Sequence, residues 1–236
     1  MKKIYVLENI SREGPGYLGD LMDQKQIAYE IIDLTKKQSF PAISQVAALI
    51  VMGGPDSAND QTTKITKEIA FIKEILKAEI PYLGICLGLQ VGVKAAGGTV
   101  RRNYVKEIGT RDRSGNLCQV SLTNEGLRDP LLQNLPKQIP VFHLHGETVT
   151  LTDKMVCLGT GPFCQNQIVK IGEKAYGIQS HFELTPEMLK VWLAEDGDLK
   201  TTNTQQIWND FSKIQKKYTQ TAEILFNNFL TKICYL

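Results

Sequence analysis

The sequence predicts an α/β fold, an open and mainly parallel sheet with helices on both faces. From Lys3 to Ala96, short apolar runs alternate with helical stretches, and Gly/Pro turns join them. That alternation, with runs too continuous for a half-exposed sheet, is the pattern of parallel strands covered on both sides. One stretch also carries an unambiguous amphipathic stripe.

Lys3–Leu7 reads as the first strand, Leu18–Gln26 as a helix and Tyr29–Leu34 as the second strand. Val46–Met52 is the third apolar run and ends at Gly53-Gly54-Pro55. Ile65, Ile69, Ile72 and Leu76 then recur on one helical face, with Lys and Glu opposite. Pro81 stops that helix, and Tyr82–Cys86 is the next strand. Between Gly98 and Thr123 the residues favour strand, broken at Arg111–Asn116 by a predicted hairpin tip. Val141–Leu151, Ile168–Ile171 and Ala175–Ser180 are further strands. From about residue 185 the chain turns helical: Pro186 suits a first helical turn, and Ala222, Leu225, Phe229 and Ile233 form a closing stripe. Trp192 and Trp208 are expected to anchor these helices. With no repeat or Pro-rich linker, residues 1–236 are expected to form one domain with a helical C-terminal extension.

Composition narrows the class. The 236 residues suffice for a core without staples. Twenty-seven basic against 25 acidic side chains leave +2, too balanced for a nucleic-acid surface. The longest apolar run, Val46–Met52, has seven residues, far short of the roughly 20 that span a bilayer. Glu8, Asn9 and Arg12 interrupt any export signal after Lys2 and Lys3. Five cysteines without a Cys-x-x-Cys pair disfavour a disulfide framework or zinc ribbon. Cys157 and Cys164 read as free structural thiols, and a cytoplasmic setting is expected.

The strongest chemical signal is Gly84-Ile85-Cys86-Leu87-Gly88, where a strand runs into a helix. Gly-x-Cys-x-Gly there is a nucleophile elbow with cysteine as nucleophile. Glycines let strand and helix pass closely, and the helix N-terminus favours negative charge on the sulfur. The Leu87 N–H would be free for a developing oxyanion. Alone, the motif fits a buried cysteine equally well. His181 and Glu183, on the same side at strand period, supply a base and an orienting acid. Gly53-Gly54-Pro55 offers a second oxyanion donor, or simply a turn.

These three motifs resemble those of the class I (triad) glutamine amidotransferases, in the family's order. The likeness is greatest to free-standing proteins related to the glutaminase half of GMP synthase, and it covers the chain to about Leu193. It implies a flavodoxin-like architecture with Cys86 as nucleophile, His181 as general base and acid, and Glu183 as orienter. Gly54 and Leu87 would form the oxyanion hole through their backbone N–H groups. Gln90, Gly53 and His145 would contact substrate. The implied reaction is hydrolysis of the glutamine side-chain amide through a γ-glutamyl thioester, releasing ammonia and glutamate. The implied partners are L-glutamine or a γ-glutamyl compound and a separate ammonia-accepting synthetase subunit, with no cofactor. Two positions depart from the family pattern: Leu89 stands where many members have histidine, and Phe182 where proline is usual.

Three other readings stay open at this point. The same triad would hydrolyse a γ-glutamyl peptide or amine. A non-catalytic binding module would have kept only the fold. His143 and His145, at strand spacing, form a two-point chelate, but no further Asp/Glu-His cluster in sequence completes it, so no metal is assigned. Within Val141–Thr148, His145 and Glu147 are either mouth residues of the site or the polar face of a strand.

Overall fold

The computed structural model describes residues 2–36 and 38–236. Its first half alternates strand and helix: β1 (Lys3–Glu8), α1 (Gly16–Gln24), β2 (Tyr29–Asp33), β3 (Val46–Val51), α2 (Thr63–Lys77), β4 (Tyr82–Ile85) and α3 (Leu87–Ala95). The second half opens with β5 (Thr99–Gly109), β6 (Gln119–Leu122), β7 (Gln138–Pro140), β8 (His143–Thr150), β9 (Val156–Thr160), β10 (Ile168–Gly172) and β11 (Ala175–Ile178). It closes with α4 (Pro186–Glu195) and α5 (Thr204–Asn228).

Nine strands form one sheet in the order β2-β1-β3-β4-β11-β10-β9-β6-β7. The five strands from β2 to β11 run parallel, and the remainder add antiparallel. Apolar runs are what such strands need, since both faces are covered. On one face Val6, Ile50 and Ile85 pack under α1 and α5 through Leu18, Met22, Leu225 and Phe226. On the other, Leu7, Leu49 and Val51 meet α2 and α3 through Ile65, Ile72, Leu87 and Val91. Chain reversal between β1 and β3 sets a topological switch point at the carboxyl ends of these strands, where open α/β sheets place their ligands.

Several expectations shift in detail. The core face of α2 is Ile65, Glu68, Ile72 and Ile75, with Ile69 and Leu76 only half-buried. The stripe is therefore rotated, and it carries a buried acid that apolar periodicity passes over. Glu68 accepts a hydrogen bond from Asn9 at 2.9 Å, and burial pushes its carboxyl up to about 7. The expected hairpin at Arg111–Asn116 holds only the single bridge Arg111–Leu117. Beyond it the arms part, because β5 pairs with β8 in a separate two-stranded sheet while β6 joins the large sheet. Strands β7 and β9 carry too few alternating residues for a period-2 signal to register. The closing stripe does pack as expected, with Ala222, Leu225, Phe229 and Ile233 all buried.

The C-terminal helices reach the loop after β11. Trp192 on α4 is fully buried and donates from Nε1 to the Arg12 carbonyl at 2.9 Å. Trp208 is less enclosed, with Lys190 over its ring. Tyr218 on α5 is buried, donates its hydroxyl hydrogen to the His181 carbonyl at 2.9 Å and accepts from the Leu184 N–H at 3.3 Å. One side chain thus clamps both ends of the segment 181–184. Tyr218→Phe leaves those two backbone groups unsatisfied, so a loss of about 1–3 kcal/mol is expected in denaturant melts. Unchanged stability would show that the clamp is not needed.

Candidate active site

Cys86 lies between β4 and α3 with φ +54° and ψ −106°. Such a conformation costs a non-glycine residue about 1–3 kcal/mol and persists only where its surroundings dictate it. Here they do. The Cys86 N–H donates to the Ile178 carbonyl at 2.7 Å, tying the turn to β11. A Cβ on Gly84 would overlap the Gly88 carbonyl, and one on Gly88 would overlap the carbonyl of Val51. Both glycines are therefore dictated by contact distance between β3, β4 and α3. Leu89, the residue that departs from the family pattern, is fully buried over Gly177 and fills space that a Cβ there would take.

The base comes from the loop after β11. That strand stops at Ile178, so the strand-period argument for His181 and Glu183 needs correction, although the two do meet. The His181 Nδ1–H donates to Glu183 Oε1 at 2.6 Å, and the Phe182 N–H donates to Glu183 Oε2 at 3.0 Å. A proline at 182 has no N–H to give, so the departure at this position adds a bond that fixes the carboxylate. The His181 and Glu183 side chains are both buried, and His181 stands edge-on to Trp192 with ring centroids 5.0 Å apart. Burial alone would push the His181 imidazole down. The Glu183 carboxylate and the Cys86 sulfur more than reverse that and hold it well above the ordinary histidine range. His181 Nε2 is buried without a hydrogen-bond partner. A Cβ built on Gly53 would lie 3.2 Å from His181 Cε1 and 3.5 Å from Cys86 Cβ, so the cysteine and the histidine converge over that glycine.

The sulfur has two further neighbours. Gln179 donates from Nε2 at 3.7 Å, and the thiol reaches the Leu144 carbonyl at 3.6 Å. A cavity of about 280 Å³ opens from it, lined by Gly54, Leu87, Gln90, His145 and Glu147 among others. Leu87 begins α3, so its N–H has no partner within the helix. Gln90 is buried and donates to Gln179 Oε1 at 3.3 Å. Gly53 lies beneath the cavity, against Cys86 and His181 rather than in its wall. His145 is a buried residue of β8 that also lines the cavity.

Sequence reasoning missed Gln179, Glu13 and Glu107. Gln179 shares the i, i+2 series that picked His181. Glu13 opens Glu13-Gly14-Pro15-Gly16, a Gly/Pro turn just past β1 at the ligand-bearing end of the sheet, and its position was the available signal. Its side chain is buried beside Gly53, and burial pushes its carboxyl up to about 7 against the pull of His181 and Arg12. Around the rim, Arg12 pairs with Asp196 at 2.9 Å and Lys106 with Asp198 at 2.6 Å. None of the five cysteines is in a disulfide, and among the described residues no helix is long and apolar enough to cross a membrane.

Comparison with known proteins gives the family and the fold. The family described as glutamine amidotransferase class-I matches residues 22–196. The chain is 32% identical over 155 residues to the glutamine amidotransferase-like protein YfeJ of Salmonella typhimurium, covering 64% of this chain and 62% of that one. A glutamine-hydrolysing GMP synthase of Thermosipho melanesiensis is 28% identical over 186 residues, covering 77% of this chain and 33% of the synthase. The chain therefore spans about a third of that synthase and under two thirds of YfeJ. In fold it is similar to a glutamine amidotransferase of Thermotoga maritima, with TM-score 0.85 at 23% identity over 100% of this chain and 99% of that one. A glutamine amidotransferase of Methylobacillus flagellatus gives 0.87 at 22% identity over 99% and 96%.

Two outcomes follow from the strained turn and the buried acid. Cys86→Gly is expected to unfold at higher denaturant than Cys86→Ala, by about 1 kcal/mol, because only glycine meets a positive φ without strain; the reverse order would contradict the strain. For Glu13, the unfolded carboxyl ionises near its ordinary 4.5 and the folded one at about 7. Its contribution to stability is thus full below 4.5 and is lost as pH rises through 7. Glu13→Gln should match the wild type at pH ~4 and exceed it at pH ~8 by up to about 3 kcal/mol in denaturant melts.

Proposed function

The chain belongs to the class I glutamine amidotransferase family, and on that premise we propose that Cys86, His181 and Glu183 hydrolyse the side-chain amide of glutamine through a γ-glutamyl thioester. The observation that carries the reading is the convergence of a strained cysteine and a carboxylate-anchored histidine over Gly53.

The steps follow from the roles these groups can take. His181 accepts the Cys86 thiol proton, and the sulfur attacks the amide carbon. The carbonyl oxygen becomes an oxyanion, held by the backbone N–H groups of Gly54 and Leu87. His181 returns its proton to the amide nitrogen, the C–N bond breaks and ammonia leaves. Water, deprotonated by the same imidazole, then attacks the thioester and releases glutamate and the thiol. Glu183 keeps Nδ1 protonated and Nε2 aimed at the sulfur throughout, and it stabilises each imidazolium as it forms. Gln90 is proposed to hold the amino-acid end of the substrate. Arg12 and Lys106 provide cations for its carboxylate, and Glu147 an anion for its ammonium group. A cavity of about 280 Å³ lies just below the ~300–1,000 Å³ range for ligand pockets, which favours an amino acid over a peptide. The ammonia is proposed to pass to a separate accepting synthetase subunit.

Release of ammonia and glutamate from L-glutamine tests the reading, with γ-glutamyl peptides and amines assayed beside it. Wild type is expected to turn over glutamine, and Cys86→Ala to lose roughly 10³-fold or more in kcat/KM. Cleavage of a γ-glutamyl peptide with glutamine inert would replace the substrate and keep the triad. Turnover that survives Cys86→Ala would refute the mechanism.

A further inference from the structure

Behind the cavity wall, three buried side chains point at one another without satisfying one another. Glu107 on β5 lies across the strand pair from His145 on β8, and His143 follows two residues before on the same strand. Candidate ligand atoms of all three lie within 4.8 Å of each other. Glu107 Oε1 is 3.6 Å from His143 Nε2, and Oε2 is 3.2 Å from His145 Nε2. Glu107 Oε1, His143 Nδ1 and His145 Nε2 are nevertheless buried without a hydrogen-bond partner. Unpartnered buried polar atoms cost about 1–3 kcal/mol each; Glu107 Oε1 and His145 Nε2 are two such atoms on the facing groups, while on His143 it is the ring nitrogen other than the one 3.6 Å from Glu107.

An occupant of this cluster must be positive. His145 Nδ1 lies 3.1 Å from the Glu147 carbonyl, which only accepts, so Nδ1 carries the hydrogen. His145 Nε2 then faces a carboxylate oxygen at 3.2 Å, a contact that a proton or a metal cation between the two makes favourable. Tetrahedral zinc with bonds of ~2.0–2.2 Å sets neighbouring ligand atoms about 3.4 Å apart; the 3.2 and 3.6 Å distances, each to a different oxygen of the Glu107 carboxylate, lie close to that spacing. A ring N–H held by a backbone carbonyl is also the usual outer shell of a metal-bound histidine. Gln167 Nε2 donates to Glu107 Oε2 at 3.3 Å and steadies the carboxylate in the same way.

We propose that Glu107, His143 and His145 form a binding site for one divalent first-row cation of zinc-like preference, with its fourth position open toward the cavity that His145 lines. The sequence reading assigned no metal because the two histidines lacked a third ligand. Glu107 supplies it from 36 residues upstream, through the β5–β8 pairing. A bulge interrupts that pairing between Arg102 and Glu107, so a bound ion would pin the register beyond it. The same strand carries the Leu144 carbonyl beside the Cys86 sulfur, and the ion would stiffen that wall. This inference does not depend on the glutaminase reading.

The full chain carrying Cys86→Ala, stripped with a chelator and titrated with Co(II), tests it without interference from the nucleophile. Ligand-field bands that saturate at one Co(II) per chain, are displaced by Zn(II), and vanish in added Glu107→Gln or His143→Gln variants are the result expected. No uptake, or uptake untouched by those variants, would overturn the site in favour of a proton shared between His145 and Glu107. Should either variant fail to fold by circular dichroism, zinc-edge X-ray absorption of the parent decides: a shell of nitrogen and oxygen with imidazole scattering supports the site, and sulfur or no bound zinc refutes it.

Discussion

Close approach of β3, β4 and α3 is the constraint on which the rest of this site depends. The backbones meet where Gly84 and Gly88 lack side chains, and that contact forces the intervening Cys86 to a positive φ. The same turn sets the sulfur at the start of α3, outside the carboxyl end of the sheet, and presents Leu87 N–H beside it. Strain at Cys86 is sustained by the bulk of the core, because the apolar strands on either side are buried on both faces.

The second half of the triad is built differently. His181 and Glu183 lie beyond the last parallel strand, where no ladder holds them, and the C-terminal helices supply the missing restraint. Tyr218 clamps the backbone at His181 and Leu184, Trp192 stands against the imidazole, and Phe182 stacks on Tyr218 while its N–H fixes the carboxylate. The C-terminal helices are thus structural support for the segment that carries His181 and Glu183.

Charge is unusually concentrated near this end of the sheet. Glu13, Glu107 and Glu183 are all buried, and each answers a positive or potentially positive group: Arg12, the paired imidazoles and His181. Low dielectric makes every one of these interactions strong and every missing partner costly. A carboxylate that meets two imidazoles with unsatisfied nitrogens is the least balanced of the three. Glu183, with both oxygens bonded, is the most balanced.

The class of fold, the succession of strands and helices along the first half of the chain, and Cys86, His181 and Glu183 as candidate site residues were legible in the sequence. Local physics suffices for these: apolar runs, glycines flanking the cysteine and a histidine-acid pair two residues apart are all short-range signals. Only the tertiary structure decided that the arms around Arg111–Asn116 part into different sheets, since strand pairing is a long-range choice that turn residues do not encode. It also decided that the core face of α2 includes Glu68, because burial depends on what Asn9 brings to it. Glu13, Gln179 and Glu107 became site residues for the same reason. Each is an ordinary polar residue in sequence, and only the crossing of distant strands sets it against Cys86, His181 or His145.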